Sequence, residues 1–372
     1  MNPGLYIHIP FCRSKCAYCD FYSVTQKEKI PLFITSLIRE MELYRGLFDR
    51  FDTIYLGGGT PSLLTAGQTK QILDALHETF LFSDDTEVTI EANPGDLTPE
   101  TVSALHRAGI NRINIGVQSF DDATLTLLGR RHSAAEAISA IENARGAGFG
   151  NVGIDLIYGA PGQDLGSWLE TLRMALSFAP EHLSCYQLTL EPSTPLGLSY
   201  RRGEIIPPDD DLLYKFFMET SETLEEAGYA HYEVSNFARG EKWMSRHNRK
   251  YWDHTPYLGL GPAAHSFSVP RRWWNHRSLN RYIECTNMGM PPIGGSEILT
   301  GEQLRLERLY LGLRTQRGID LKEFRERYRY DPLHEKGDIL RTMQREGMIT
   351  ITDTHLRPTR AGLALSDSLP LL

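Results

Sequence analysis

Strand-like and helix-like runs alternate six times in the first half of the chain, which predicts an α/β fold built on a parallel sheet. Two further observations agree. The strand-like runs end in loops rich in cysteine, glycine and polar residues, where α/β folds gather their chemistry at the carboxyl ends of parallel strands. Helical patterns then return without intervening strands, which predicts a smaller C-terminal domain.

The elements follow in order. Residues 5–10 (LYIHIP) form an apolar run that leads into Cys12. Residues 30–48 carry Ile30, Phe33, Ile34, Leu37, Ile38, Met41, Tyr44, Leu47 and Phe48 at helical spacing. Residues 53–56 (TIYL) enter Gly57-Gly58-Gly59-Thr60, and 71–80 reads as a helix. Residues 87–92 (EVTIEA) alternate as a strand does, and Thr98-Pro99-Glu100 opens a helix with a capping hydroxyl and a proline in first position. Residues 112–117 (RINIGV) are the fourth strand, 134–147 a helix, 152–158 (VGIDLIY) the fifth strand, 168–178 a helix and 183–190 (LSCYQLTL) the sixth strand. Right-handed crossovers make such a series a parallel sheet. A full eight-stranded barrel, a six-stranded partial barrel and an open doubly wound sheet share this pattern.

A helix at 209–228 closes a first domain, 1–230. Residues 231–300 are rich in His, Asn, Trp, Tyr, Gly and Pro with weak periodicity, and read as a bridging region with functional loops. In 301–372, helical patterns at 304–313, 321–328 and 339–345 precede a hairpin-like stretch at 347–352 and Leu356. Helices followed by a small hairpin predict a winged-helix-like domain over plain helical packing.

Composition narrows the class. The hydrophobic share is 41%, the charged share 23% and the net charge −8, an ordinary globular profile without the basic excess of a nucleic-acid binder. No apolar stretch reaches the roughly 20 residues of a membrane helix, so an integral membrane protein is not expected. The opening MNPGLYIHIPFC lacks the basic start, apolar run and small-residue cleavage site of a secretory signal. Of 5 cysteines, Cys12, Cys16 and Cys19 cluster tightly while Cys185 and Cys285 stand alone. An odd count with one tight cluster points to metal ligation in a reducing compartment, and so to a cytoplasmic protein.

Cys12-Arg-Ser-Lys-Cys16-Ala-Tyr-Cys19 has the spacing C-x3-C-x2-C. Zinc sites usually take four ligands, and no fourth Cys or His follows nearby. A disulfide would leave one thiol over. Thiolates hold iron–sulfur clusters, usually four per cubane, so three leave one iron open to an outside ligand. A [4Fe–4S] cluster with an open iron is the favoured reading.

At these residues the chain resembles the radical S-adenosylmethionine (SAM) superfamily. The resemblance implies a partial, six-unit parallel β/α barrel, with SAM chelating the open iron through its amino and carboxylate groups. It implies cleavage of SAM to a 5′-deoxyadenosyl radical by an electron from the cluster, hence an electron donor if the cluster is redox active. Tyr18, just before the last cysteine, matches the aromatic position that shields the cluster. The glycine turn, with Gly58, Gly59 and Thr60, resembles the motif that meets the SAM amino group; glycines let backbone approach a ligand closely.

Further matches are similar to one family over nearly the whole chain, the oxygen-independent coproporphyrinogen oxidase-like proteins. They imply SAM contacts at Tyr6, Glu91, Gln118, Arg130 and Asp155, the last three in GVQSF, LLGRRH and GIDLIYGAPGQ. Glu91 would accept hydrogen bonds from ribose hydroxyls. Arg130 would pair with the SAM carboxylate, since guanidinium suits a bidentate carboxylate.

Two branches of that family compete. One is the enzyme, oxygen-independent coproporphyrinogen III dehydrogenase, which decarboxylates propionates by hydrogen abstraction. The other is a haem chaperone, which binds haem and hands it to a haem-requiring acceptor. The enzyme's motif continues to a fourth cysteine, where this chain has Phe21, and the enzyme carries a substantial segment before the first strand, where this chain has a few residues. His247-Asn248-Arg249-Lys250-Tyr251-Trp252 matches the HNxxYW motif of the chaperone branch. Histidine is a common axial ligand to haem iron, Tyr251 and Trp252 can pack on a porphyrin face, and Arg246, Arg249 and Lys250 can meet propionates. His247 is therefore the expected haem ligand, with His265 and His276 as back-ups. Haem trafficking is the expected function, and SAM cleavage is compatible with it.

Overall fold

The first strand buries Leu5, Ile7 and Ile9 completely, in one core with Phe33, Ile34 and Leu37 of the crossover helix that follows it, and both of its neighbours in the sheet run parallel to it. In the computed structural model, which describes residues 2–366, six strands follow the expected series. They are β1 (Gly4–Ile9), β2 (Phe51–Gly58), β3 (Phe82–Ala92), β4 (Arg112–Gln118), β5 (Val152–Tyr158) and β6 (His182–Gln187). Each pairs in parallel with the next, in registers such as Ile7 opposite Leu56 and Ile154 opposite Leu183.

The crossovers are α1 (Ile30–Leu43), α2 (Ala66–Thr79), α3 (Pro99–Arg107), α4 (Asp122–Leu127), α5 (Ala134–Gly146) and α6 (Leu165–Ser177). Their starts are fixed by local chemistry. Thr65 with Gln68 and Ser133 with Glu136 form reciprocal capping boxes, and Thr98 caps α3 ahead of Pro99 as the sequence predicts. Two helices, α7 (Pro195–Arg201) and α8 (Asp210–Glu226), follow β6.

Residues 231–300 are more regular than their pattern suggests, and they extend the sheet at both ends. The hairpin β7 (Ala230–Glu233) and β8 (Asn236–Ala238) adds antiparallel to β6. Helix α9 (Arg246–Trp252) carries the HNxxYW motif. Strand β9 (Tyr257–Leu260) joins β1 as a further parallel strand, and β10 (His265–Ser268), β11 (Arg271–Asn275) and, after α10 (Leu279–Asn287), β12 (Ile293–Ile298) continue antiparallel. These strands run only three to six residues and mix aromatic with polar side chains, so alternation was too short to read. The order β12-β11-β10-β9-β1-β2-β3-β4-β5-β6-β8-β7 leaves the sheet open, as a partial barrel.

The C-terminal domain has α11 (Gly301–Gly312), β13 (Ile319–Asp320), α12 (Leu321–Tyr328), α13 (Pro332–Glu335), α14 (Gly337–Arg345), β14 (Ile349–Ile351), β15 (His355–Pro358) and α15 (Arg360–Ala364). The hairpin is present, with β13 on its other edge, and the domain has its own core of Leu309, Leu313, Ile319, Leu321, Phe324, Leu340, Ile349 and Leu356. That is the winged-helix-like arrangement. Several polar links join it to the rest of the chain: Gln316 N–H donates to Tyr232 C=O of β7 at 3.0 Å, and Glu307 on α11 accepts from Arg272 Nη2 of β11 at 2.5 Å and meets His254 Nε2 at 3.0 Å. Among the described residues no helix is long and apolar enough to cross a membrane.

Candidate functional site

A cavity of about 1150 Å³ opens at the carboxyl ends of the parallel strands. Tyr6, Cys12, Cys16, Tyr18, Cys19, Gly58, Gly59, Thr60, Glu91, Gln118, Arg130 and Asp155 all line it. Of the expected ligand-binding residues, only His247 does not.

The cysteine loop links β1 to α1 and is tied down at several points. Cys12 N–H donates to Val24 C=O at 2.9 Å, and Val24 N–H returns a bond to Pro10 C=O at 2.7 Å. Ala17 donates to Leu128 C=O at the end of α4 and accepts from Leu196 N–H of α7. The three thiols are free and partly exposed to the cavity. Thr60 Oγ1 lies 3.4 Å from Cys12 Sγ, and Arg130 Nη1 lies 3.4 Å from Cys16 Sγ. Burial pushes the Cys19 thiol up.

Among the described residues no three His, Cys, Asp or Glu side chains surround one point as a single metal ion requires. Three separate thiols suit a cluster better, because each binds a different iron. Arg130 fits a cofactor beside them. One arm of its guanidinium is fixed by Gly116 C=O at 2.8 Å, while its Nε is buried with no hydrogen-bond partner. A carboxylate at that point would satisfy it. Burial opposes the charge of Arg130, but Tyr18 and Cys16 outweigh it and hold the group protonated.

The glycine turn is needed for close packing at the cavity rim. Gly58 adopts φ +107°, and a Cβ there would meet the His8 ring at 2.5 Å. Gly59 and Thr60 donate to Ile9 and Phe11 C=O, each at 2.8 Å, which seats the end of β2 against the end of β1. Gly58 N–H donates to Glu91 Oε2 at 3.1 Å, and Tyr55 O–H to Glu91 Oε1 at 2.8 Å. Burial, with the charge of Asp155 adding to it, raises the Glu91 carboxyl to about 7. Asp155 accepts from Asn114 Nδ2 at 2.7 Å on both oxygens, and burial raises its pKa too. Gln118 sits at φ +68°, where β4 slips register between Gly116 and Gln118 against β5. A non-glycine residue held in the left-handed region costs of order 1 kcal/mol, strain that collects at ligand sites. Tyr6 O–H lies 3.2 Å from His8 Nδ1, and burial raises its pKa well above the usual value.

His247 is seated elsewhere. It is 1% exposed, with Thr53 Oγ1 2.8 Å from Nδ1 and Tyr251 O–H 2.9 Å from Nε2. Its ring stacks on Tyr55 at 5.1 Å and Tyr6 at 6.3 Å. Burial lowers its pKa to about 3, so it is neutral, with both nitrogens occupied. It presents no free nitrogen to an iron. It reaches the cavity only through Tyr6 and Tyr251, which line it. Lys250 is likewise turned inward, bonded to Asn2 C=O at 2.7 Å and Asp52 at 2.6 Å, and Arg246 pairs with Asp85 and Asp52. These cations do not line the cavity.

His265 and His276 do line it, and so do His8, Asn114, Tyr186, Trp274 and Arg277, which the sequence reasoning missed. The available signal was strand alternation: His8 lies two residues from Tyr6, and Asn114 and Gly116 lie at even steps from Gln118.

Known proteins similar to this chain share its anatomy. The radical SAM superfamily model matches residues 6–175, and the HemN C-terminal domain model matches residues 299–365. The solved structure of coproporphyrinogen III oxidase (HemN) from Escherichia coli superposes with a TM-score of 0.86 at 23% identity, over 100% of this chain and 89% of that one. That likeness defines the class of fold: a radical SAM barrel with a HemN-type C-terminal domain. Heme chaperone HemW of Bacillus subtilis is 33% identical over 98% of this chain and 97% of its own length. The Mycobacterium tuberculosis protein of the same name is 37% identical over 86% of this chain and 83% of its own. The chain belongs to the radical SAM superfamily and, within its HemN-like family, to the HemW branch.

Proposed function

We propose that this protein binds haem and passes it to a haem-requiring acceptor protein. The observation that carries the reading is the 33% identity, over nearly the full length of both chains, to a protein named heme chaperone HemW. Phe21 supports it, standing where the enzyme branch has a further cysteine.

Cys12, Cys16 and Cys19 would hold a [4Fe–4S] cluster, and SAM would bind at its open iron. When bound, that pair supplies a one-electron route to cleavage of the sulfonium. The chain's own residues position it. Arg130 offers the SAM carboxylate a guanidinium already fixed by Gly116. Glu91 would accept from ribose hydroxyls, and Gln118 and Asp155 would complete the SAM contacts. Tyr18 would shield the cluster, and Thr60 Oγ1 lies 3.4 Å from Cys12 Sγ. Work in a cytoplasmic compartment suits the free thiols.

The test is an anaerobic haem titration of cluster-loaded protein followed by Soret absorbance, then transfer to an apo-haem protein. Saturable one-to-one binding and transfer are expected. A protein that binds no haem but releases carbon dioxide from coproporphyrinogen III with SAM and a reductant would be the dehydrogenase instead. The complete set of SAM-facing residues in the cavity keeps that second reading open to assay.

A further inference from the structure

Resting on the haem-binding reading, we propose that His265, seated against Trp274, is the side chain that ligates the haem iron. An iron ligand needs an imidazole with an uncommitted nitrogen at the cavity wall. Three histidines line the cavity: His8, His265 and His276. His8 is fully committed, with Tyr6 O–H 3.2 Å from Nδ1 and Tyr22 C=O 2.8 Å from Nε2. His247 is committed at both nitrogens and lies outside the wall. His265 is exposed and makes a ring contact only, stacked on Trp274 at 5.7 Å and 27°.

The wall behind His265 is built to be flat. His265 stands opposite Trp274 in the β10–β11 ladder, so the two rings lie on one face of the sheet. Trp274 in turn stands opposite Gly295 on β12. A Cβ at Gly295 would meet the indole at 2.5 Å, so glycine there lets the ring lie down across the neighbouring strand. The stacked indole fixes the plane of the imidazole, and because the nitrogen lone pair lies in that plane a porphyrin ligated by His265 would stand edge-on to Trp274. Ligation forms one coordinate bond from that lone pair to iron and moves no electron between redox partners.

The rest of the mouth matches the remaining chemistry of haem. Arg277, with its side chain 60% exposed, bonds Asp20 C=O at 2.6 Å and brings a guanidinium to the rim, where the propionates would lie. Phe21, 68% exposed, lines the same rim. The cavity of about 1150 Å³ lies above the range of about 300–1,000 Å³ usual for one ligand. His276 is the weaker candidate: it lies in the loop after β11, close against Gly294 of β12, and among the described residues no aromatic ring stacks on it.

The experiment is a haem titration of cluster-loaded wild type, His265→Ala, His265→Gln, His276→Ala and His247→Asn. Both His265 variants should lose at least about tenfold in affinity, the scale on which metal sites lose affinity when their support is removed, and shift the Soret band. Added imidazole should restore the wild-type band to His265→Ala, and SAM binding by that variant should match wild type, which separates ligation from misfolding. Wild-type affinity and Soret band in His265→Ala and His265→Gln would overturn this assignment and leave the haem reading standing. A loss confined to His276→Ala would do the same. A wild type that binds no haem would overturn the haem reading and this assignment together.

Discussion

The parallel and antiparallel parts of the sheet do different work. The parallel strands β1–β6 and the loops that follow them hold every cysteine and polar residue expected to face the cluster and SAM, and all of them line the cavity. The antiparallel strands β10–β12 and the short helix α9 hold the histidines expected to face haem, and there burial sorts them. His247 lies in a closed aromatic cluster with both nitrogens bonded, while His265 lies in an open one with its ring edge free. A motif histidine and a ligand histidine are thus separable, and hydrogen-bond saturation tells them apart.

The largest effect should come from the parallel side. Cys16→Ala should abolish the cluster completely, read as loss of iron and of charge-transfer absorbance after reconstitution. A mutant that keeps four irons would remove Cys16 from the ligand set. If haem titrates normally into this variant, the two regions bind their ligands independently; if it does not, the comparison fails.

Arg130→Ala should weaken SAM binding by about 100-fold, the scale of a lost charge-assisted hydrogen-bond pair at a buried site. Anaerobic calorimetry reads it directly, and an unchanged dissociation constant would take Arg130 out of the site.

His247→Asn should cost about 2 kcal/mol of stability, because it breaks two buried hydrogen bonds, while leaving the Soret band in place. The pH dependence has a definite sign. Burial lowers the folded pKa to about 3 from the ordinary 6.5, so the histidine's contribution is full above pH 6.5 and is lost as pH falls toward 3. The stability gap between wild type and variant should therefore narrow below pH 6.5, at up to about 1.4 kcal/mol per unit. A gap that widens in acid would contradict the neutral, saturated ring.

The smallest effect should be that of Glu91→Gln. Burial raises the folded carboxyl to about 7 from the ordinary 4.5, so the contribution of its proton is present below pH 4.5 and lost as pH rises through 7. The variant should gain about 1 kcal/mol over wild type at pH 8 and lose that advantage near pH 5. Its SAM affinity should fall about tenfold. Thermal melts at the two pH values and one calorimetric titration check both.

Legibility in the sequence followed the same division. The six strand–helix units were readable because each strand carries a short apolar stretch and helix starts carry their own signals, such as Thr98-Pro99 or the Ser133–Glu136 box. The winged-helix-like end was readable from its helix spacing and hairpin. The cysteine loop needed only spacing. By contrast, β7 to β12 are too short for alternation to register, and β9 pairs with β1 from the far end of the domain, a long-range choice that no local pattern encodes. The HNxxYW motif drew attention to His247, but its environment depends on Thr53 of β2, remote in sequence. The free ring of His265 follows from a pairing with Trp274 that only the folded ladder creates.

The Arg272–Glu307 bridge reaches the cavity wall by one further step. Arg272 and Trp274 are two apart on β11 and so project from the same face of that strand. The salt link to α11 therefore acts as a lever arm whose short end is the indole. The packing of the C-terminal domain and the position of the indole are thus tied together through one strand.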